Sequence, residues 1–489
     1  MKIFNNKISC SLFFFSLIIG LSGCKKDLLD PVPETNISGA NAFETPDRIL
    51  AQVNGLYSAV KSSQFLGGRY IIYQELRGNE FIMNKPNVQT GQLTWGHNAN
   101  SSTAEVQNLW SSGYAAINRI HMFIEGLTAN KDKIGDSVYQ NYLGEAKFLR
   151  GLTYFLLVQQ YAKPFNADNG ASLGLPLRLD AERTSQNNEL ARSKVSEVYF
   201  QILSDLDAAE NGLPSKYATA SLNATRAHKN AAIALKTRVY LTKGDYEKVK
   251  TEAAKIVSAT IPYRATTGVA HRLESNVTSV FSGSYTGSEA VLFLPMNAQD
   301  APGGQNALSY YFTFTPGNAE FFLNTTGTVA DPVFSSSSTD ARKNLVATQQ
   351  GLLWLYKYKM PSPYTDYIPV IRYAEVLLNY AEAAANTNDL TKATALLYAV
   401  RNRSDASYTF TSSNLSAKES LVNTILNERK IELLGEGFRV PDLLRTLKPL
   451  PGKIGNAGTS PSVASTESRY IWPIPANELS TNSLMIPNP

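Results

Sequence analysis

Apolar side chains recur at steps of three to five residues along several long stretches, the period of a helix buried on one face. Asn108–Ile124 carries Leu109, Tyr114, Ile117, Ile120, His121 and Ile124 on that period. Tyr142–Tyr161 repeats it with Leu143, Ala146, Leu149, Leu152, Phe155 and Val158, and Ser196–Leu213 and His228–Leu241 follow. Gly244-Asp245 predicts a turn, after which Tyr246–Val257 restarts a helix. Late in the chain, Tyr373–Ala385 and Thr391–Arg403 form another helical pair across Asn386–Asp389.

The alanines from Ala231 to Ala234, the helix that follows and the Gly244-Asp245-Tyr246 turn resemble a tetratricopeptide hairpin, in which small residues let two helices approach closely. Tyr380-Ala381-Glu382-Ala383 with Asp389–Ala393 resembles a weaker second copy. The expected fold is mainly α: a scaffold of such hairpins with large irregular loop insertions and a few short strands. The main insertion spans about 261–367 and is rich in Gly, Ser, Thr, Asn and aromatics. Within it, Glu289–Leu294 predicts a short strand, and the alternation in Tyr310–Phe314 fits a half-buried one. Arg77–Ser102 and Lys448–Pro489 also read as loops, and long loops on a rigid scaffold are where binding usually sits.

The N-terminus changes the picture. Lys2 and Lys7 precede an apolar run, Ile8–Leu21, of 14 residues, too short to span ~30 Å of hydrocarbon. It ends in Leu21-Ser22-Gly23-Cys24, which is similar to a bacterial lipobox and predicts a signal peptide over 1–23. That similarity implies acylation of Cys24, a tether over 24–38 and one body over 39–489. Cys10 and Cys24 are the sole cysteines and Cys10 lies in the signal, so no intramolecular disulfide supports the body. The formal charge of +5 is spread without a basic stripe, so nucleic acid is not an expected partner.

Catalytic signatures are sparse. His97, His121, His228 and His271 lie far apart, and no metal motif, phosphate loop or nucleophile elbow occurs. No metal and no cofactor is expected, and His121 and the rings of Trp110 and Trp354 read as core. The main carboxylate constellation is Glu428 and Glu432, which share a helix face. A glycosidase would use such a pair as acid and nucleophile. A buried ion-pair network with Arg439, Arg445, Arg372 or Arg401 is the favoured reading, because arginines depress a carboxyl that a general acid needs raised.

The segment Glu428-Arg429-Lys430-x-Glu432-Leu433, then Glu436-Gly437-x-Arg439 and Asp442-Leu443-x-Arg445, resembles the C-terminal signature of the SusD/RagB family of outer-membrane lipoproteins. Arg372-Tyr373-Ala374-Glu375 with Glu382 resembles the preceding family helix, and Glu145–Tyr161 an early one. The resemblance implies a lipid-anchored, surface-exposed protein of the outer membrane without enzymatic activity. Its partners would be an oligo- or polysaccharide, or a peptide, and a SusC-like TonB-dependent transporter. A lipid-anchored glycoside hydrolase and a scaffold without ligand remain the alternatives of other classes.

Sugar rings need aromatic platforms with amides and an arginine nearby. Two loop clusters offer these: Arg77, Trp95 and Asn98, similar to loops that line the family's glycan site, and Asn306, Tyr310 and Tyr311 in the insertion.

Overall fold

The computed structural model describes residues 41–455 and 458–489. The expectations for Cys24, the signal peptide and the tether lie outside the described residues. Among the described residues ten main helices form the frame: α1 (Pro46–Val60), α2 (Arg69–Leu76), α3 (Ala104–Ala129), α4 (Asp136–Tyr161), α5 (Val195–Gly212), α6 (Lys229–Lys243), α7 (Tyr246–Ile256), α8 (Tyr373–Asn386), α9 (Leu390–Ser404) and α10 (Lys418–Glu432). From α3 to α9 each packs on the next, α1 lies against α3 and α4, and α10 closes on α8 and α9. Among the described residues no helix is long and apolar enough to cross a membrane.

The hairpin turns follow from their residues. Gly244 at φ 72° ends α6, a left-handed conformation that costs glycine nothing, and Asp245 caps α7 by accepting from the Lys248 amide at 3.4 Å. Asn388 at φ 64° and Asp389, which accepts from the Lys392 amide at 3.1 Å, repeat the device between α8 and α9. Ala231, Ala232 and Ala234 on α6 and Ala383 to Ala385 on α8 are fully buried, so neighbouring helices close on small side chains. The chain thus has the tetratricopeptide-like array the sequence predicts.

The array is interrupted between Ile256 and Tyr373, yet α7 packs directly on α8. The insertion is therefore carried outside a continuous helical stack. Its strands pair in twos and antiparallel: β1 (Phe81–Met83) with β3 (Phe321–Leu323), and β2 (Ala290–Leu294) with β6 (Ile368–Arg372). β4 (Val346–Gln349) and β5 (Leu352–Leu355) form a hairpin, as do β7 (Lys453–Gly455) and β8 (Gly458–Ser460). Leu308–Phe312 is a short helix rather than part of a strand, which corrects the reading of Tyr310–Phe314. That helix buries Leu308, Tyr311 and Phe312 together and leaves Tyr310 half-exposed.

His228, just before α6, stacks on His271 at 5.1 Å, and His271 lies over Tyr373 at 6.3 Å. Burial pushes the imidazoles down, His228 to about 3 and His271 to about 4. Both values fall below the unfolded ~6.5, so folding favours the neutral rings. Their contribution is complete above that pH and decays as the pH falls toward 4 and 3. His271→Gln keeps a donor for the Ser288 carbonyl, 3.2 Å from Nδ1, but cannot ionise. The variant should narrow the stability gap between pH 7 and pH 5 by roughly 2 kcal/mol in denaturant titrations. An unchanged gap would show that His271 is not protonated against the fold.

Candidate functional site

The two sequence clusters meet different fates. Arg77 is buried, donating from Nη1 to Gln160 Oε1 at 3.1 Å and from Nη2 to the Tyr470 carbonyl at 2.6 Å. It ties the loop after α2 to α4 and to the C-terminal segment. Trp95 is 1% exposed. Its Nε1 donates to the Phe81 carbonyl at 2.9 Å, and Lys453 Nζ lies 5.2 Å from the ring centroid. Lys453 is itself buried, donating to the Leu76 and Gly78 carbonyls at 2.7 and 2.8 Å. The strand β7 therefore covers the indole, and Trp95 is not an exposed platform. Asn98 remains exposed on the same loop.

In the insertion, Tyr311 is buried as well, stacked on Phe321 at 6.0 Å with the Arg69 guanidinium 5.5 Å from its ring. Asn306 and Tyr310 are half-buried. These two belong to a cleft of about 350 Å³ and its edge. Gln64, Arg69, Gln89, Asn108, Gln305 and Asn306 line the cleft, and Tyr73 and Glu105 also border it. The 303–306 turn reaches it by closing on α2: a Cβ on Gly68 would collide with the Asn306 carbonyl, so glycine permits the approach.

Arg69 is held from three sides. Asn306 Oδ1 accepts from its Nε at 2.8 Å, the Tyr73 hydroxyl from Nη1 at 3.1 Å and the Gln89 carbonyl from Nη2 at 2.9 Å. Glu105 is buried below, and burial raises its carboxyl, an effect that the Thr94 hydroxyl and Arg69 partly offset. Beside the cleft, Tyr310 meets Tyr364 edge to face at 5.8 Å, with Gly304 against the Tyr310 ring. Both rings are half-exposed. The arrangement presents five side-chain amides, one fixed guanidinium and an aromatic edge. Amides donate and accept together, as hydroxyl-rich ligands require.

The Glu428–Glu432 pair is sealed in the interior, both side chains being 0% exposed. Arg342 Nη1 bridges them, at 2.6 Å to Glu428 and 3.1 Å to Glu432. Arg401 pairs with Glu428 at 2.6 Å, and Arg372 and Arg403 pair with Glu432 at 3.1 and 2.5 Å. Burial alone would raise the Glu432 carboxyl, but Arg403, Arg372 and Arg342 together hold it well below the usual range. A group held ionised and away from water cannot serve as a general acid at neutral pH.

Arg372 and Arg401 join this network as the sequence suggests, whereas Arg439 and Arg445 do not. Arg439 pairs with Glu80 at 3.0 Å. Arg445 pairs with Glu382 at 2.5 Å and Asp442 at 2.8 Å, and Arg429 reaches the same Asp442 at 3.1 Å. Glu436 takes Arg372 and Lys357, and Glu375 takes Arg238. The charged signature therefore clamps α8, α10 and the insertion together. Arg403, beside Arg401 on α9, also joins it, and Arg342, Lys357 and Glu289 complete it without a local sequence signal.

Comparison with known proteins agrees with this architecture. Residues 354–489 match the model of the SusD family, and residues 30–241 match a model described as starch-binding associating with outer membrane. SusD-like protein P38 of Formosa agariphila is 25% identical across 97% of both chains. The crystal structure of a SusD superfamily protein from Bacteroides fragilis is 31% identical, with a TM-score of 0.81 over 91% of this chain and 99% of that one. A laminarin-binding SusD-like protein shares the fold at 20% identity, with a TM-score of 0.71 over 91% of this chain and 100% of its own.

Proposed function

Because the chain belongs to the SusD family, we propose that it is a glycan-binding protein of the outer membrane that captures oligo- or polysaccharide for a TonB-dependent transporter. In this reading residues 1–23 are a signal peptide, Cys24 carries the acyl anchor at the cell surface, 24–38 form the tether and 39–489 a single binding body. The observation that carries it is the amide-lined cleft beside Tyr310 and Tyr364, with Arg69 fixed in its wall. The starch-binding description of the N-terminal family model and the laminarin-binding structural neighbour support a sugar ligand. The protein's role is to hold the ligand intact, which the sealed Glu428–Glu432 pair supports.

Titration of the soluble body against neutral and acidic polysaccharides and oligopeptides, with ligand integrity checked afterwards, tests the proposal. Saturable binding of an intact glycan is expected. Peptide binding alone, or hydrolysis of a bound glycan, would overturn it. Asn108 and Gln305 are exposed cleft amides with little role in folding. Replacing both by Ala should weaken glycan binding by about 1–3 kcal/mol with the melting temperature unchanged. Full affinity in the double variant would remove this cleft from the ligand path.

A further inference from the structure

A second cleft, of about 400 Å³, borders the first at Asn108, which lines both. It lies between α3, the loop around Arg178–Asn188 and the short helix Ala476–Thr481 near the C-terminus. A string of amides runs from one cleft to the other. Asn306 Oδ1 accepts from Gln64 Nε2 at 3.1 Å, and Gln64 Oε1 from Asn108 Nδ2 at 3.5 Å. One residue back on α3, Gln107 Oε1 accepts from Asn477 Nδ2 at 3.1 Å. Asn306 Oδ1 is filled by Gln64 and Arg69, but the other amides have donors and acceptors beyond these contacts, so the string can also serve hydroxyls laid along it.

The second cleft repeats the chemistry of the first with a different charge. Trp110 and Tyr114 pack at 4.7 Å on its wall, and Trp110 Nε1 donates to Glu478 at 3.2 Å. Among the described lining residues, Asp180, Glu182 and Glu478 stand against one guanidinium, that of Arg178, which pairs with Glu182 and, at 3.9 Å, with Glu478. His121, also in the lining, donates or accepts at the Arg178 carbonyl, 2.9 Å away. Burial first, and then Arg150, push that imidazole down to about 4, so it adds no positive charge at neutral pH. Three carboxylates facing one cation repel uronate or sulfate groups, while they accept hydrogen bonds from hydroxyls. Each cleft has the volume of a small-ligand site, and both open along one helix.

We propose that the second cleft binds the continuation of the same saccharide chain, so that the protein reads an extended neutral polymer across two adjoining sites. The proposal rests on the glycan reading above. Its test is a length series: neutral oligosaccharides of two to seven units from starch, laminarin, xylan, mannan and galactan, titrated by calorimetry. Oligo-uronates of equal length serve as the anionic control.

Affinity for one neutral series should rise at least tenfold between trimer and heptamer. Ser111→Trp, a plug set at an exposed position of the second cleft, should abolish that rise and leave trimer affinity unchanged. Asn477→Ala, on the exposed face of the short helix, should reduce it about threefold, and serves if the plug disturbs folding. A flat length series, or a rise that survives both variants, overturns the second site while leaving glycan binding at the first intact. Oligo-uronates bound as tightly as the neutral series overturn the charge selection. No binding to any series overturns the glycan reading, and the second site with it.

Discussion

Arg342→Ala is expected to cost about 3–5 kcal/mol of folding stability at pH 7, a large part of the 5–15 kcal/mol that a domain usually has. The side chain is fully buried and serves three carboxylates. Its Nε and Nη2 hold Asp340 at 2.9 and 2.6 Å, and Nη1 bridges Glu428 and Glu432. Burial alone would lower the guanidinium's affinity for its proton, but Glu428, Asp340 and Glu432 outweigh this and hold it well above the ordinary range. Without it, two glutamates one helical turn apart repel each other in a medium that screens poorly. Arg401, Arg372 and Arg403 remain, so the loss stays below that of an isolated buried charge. Arg342→Lys should recover only part of the loss, because an ammonium cannot reproduce the planar fork. In the Ala variant Glu432 loses one of the arginines that hold its carboxyl well below the usual range and gains affinity for a proton, so the deficit should shrink as the pH falls below about 4.5. Urea titrations at pH 7 and pH 4 measure both effects. A deficit under 1 kcal/mol at pH 7 would show that the network does not hold α10 to the insertion.

The parts of the fold written in local periodicity were readable, and the parts made by distant contacts were not. The helices from α3 to α9 follow from apolar steps, and the Gly244-Asp245 and Asn388-Asp389 turns from their own dihedral needs. Arg372 belongs to a recognisable charged motif, whereas Arg342 follows a serine run in the insertion and shows nothing locally of its burial. The candidate cleft was half legible. Asn306 and Tyr310 stood out as loop residues, but Gln64, Arg69 and Asn108 look like an ordinary solvent face of a helical region. Tertiary assembly brings Asn306 to Arg69 across 237 positions of sequence. Tyr311 was misplaced because a one-turn helix and a short alternating strand expose different members of the same five residues.

Trp95→Ala should lower stability by about 3–5 kcal/mol, rather than remove a sugar platform. The indole fills its site: Phe81 takes its N–H, Lys453 faces the ring, and a Cβ on Gly455 would sit 3.5 Å from Cζ2. The buried lysine on β7 is the reason that this loop offers no exposed platform. Burial strips Lys453 of water, and Arg77 opposes its charge further, so its proton affinity falls well below the ordinary range. The Leu76 and Gly78 carbonyls, the Glu80 carboxylate and the indole face support the ammonium there. Truncating the ring removes one of those supports and opens a cavity under β7 in the same step. Trp95→Phe should restore much of the packing but not the hydrogen bond to Phe81, leaving about 1–3 kcal/mol of the deficit. Denaturant unfolding of the two variants measures the packing. Their glycan affinity under conditions where both remain folded measures the site. Affinity within a factor of two of wild type in the Phe variant would place ligand in the Asn306 cleft, away from the indole. A large loss of affinity with stability intact would mean instead that β7 lifts and Trp95 meets the sugar after all.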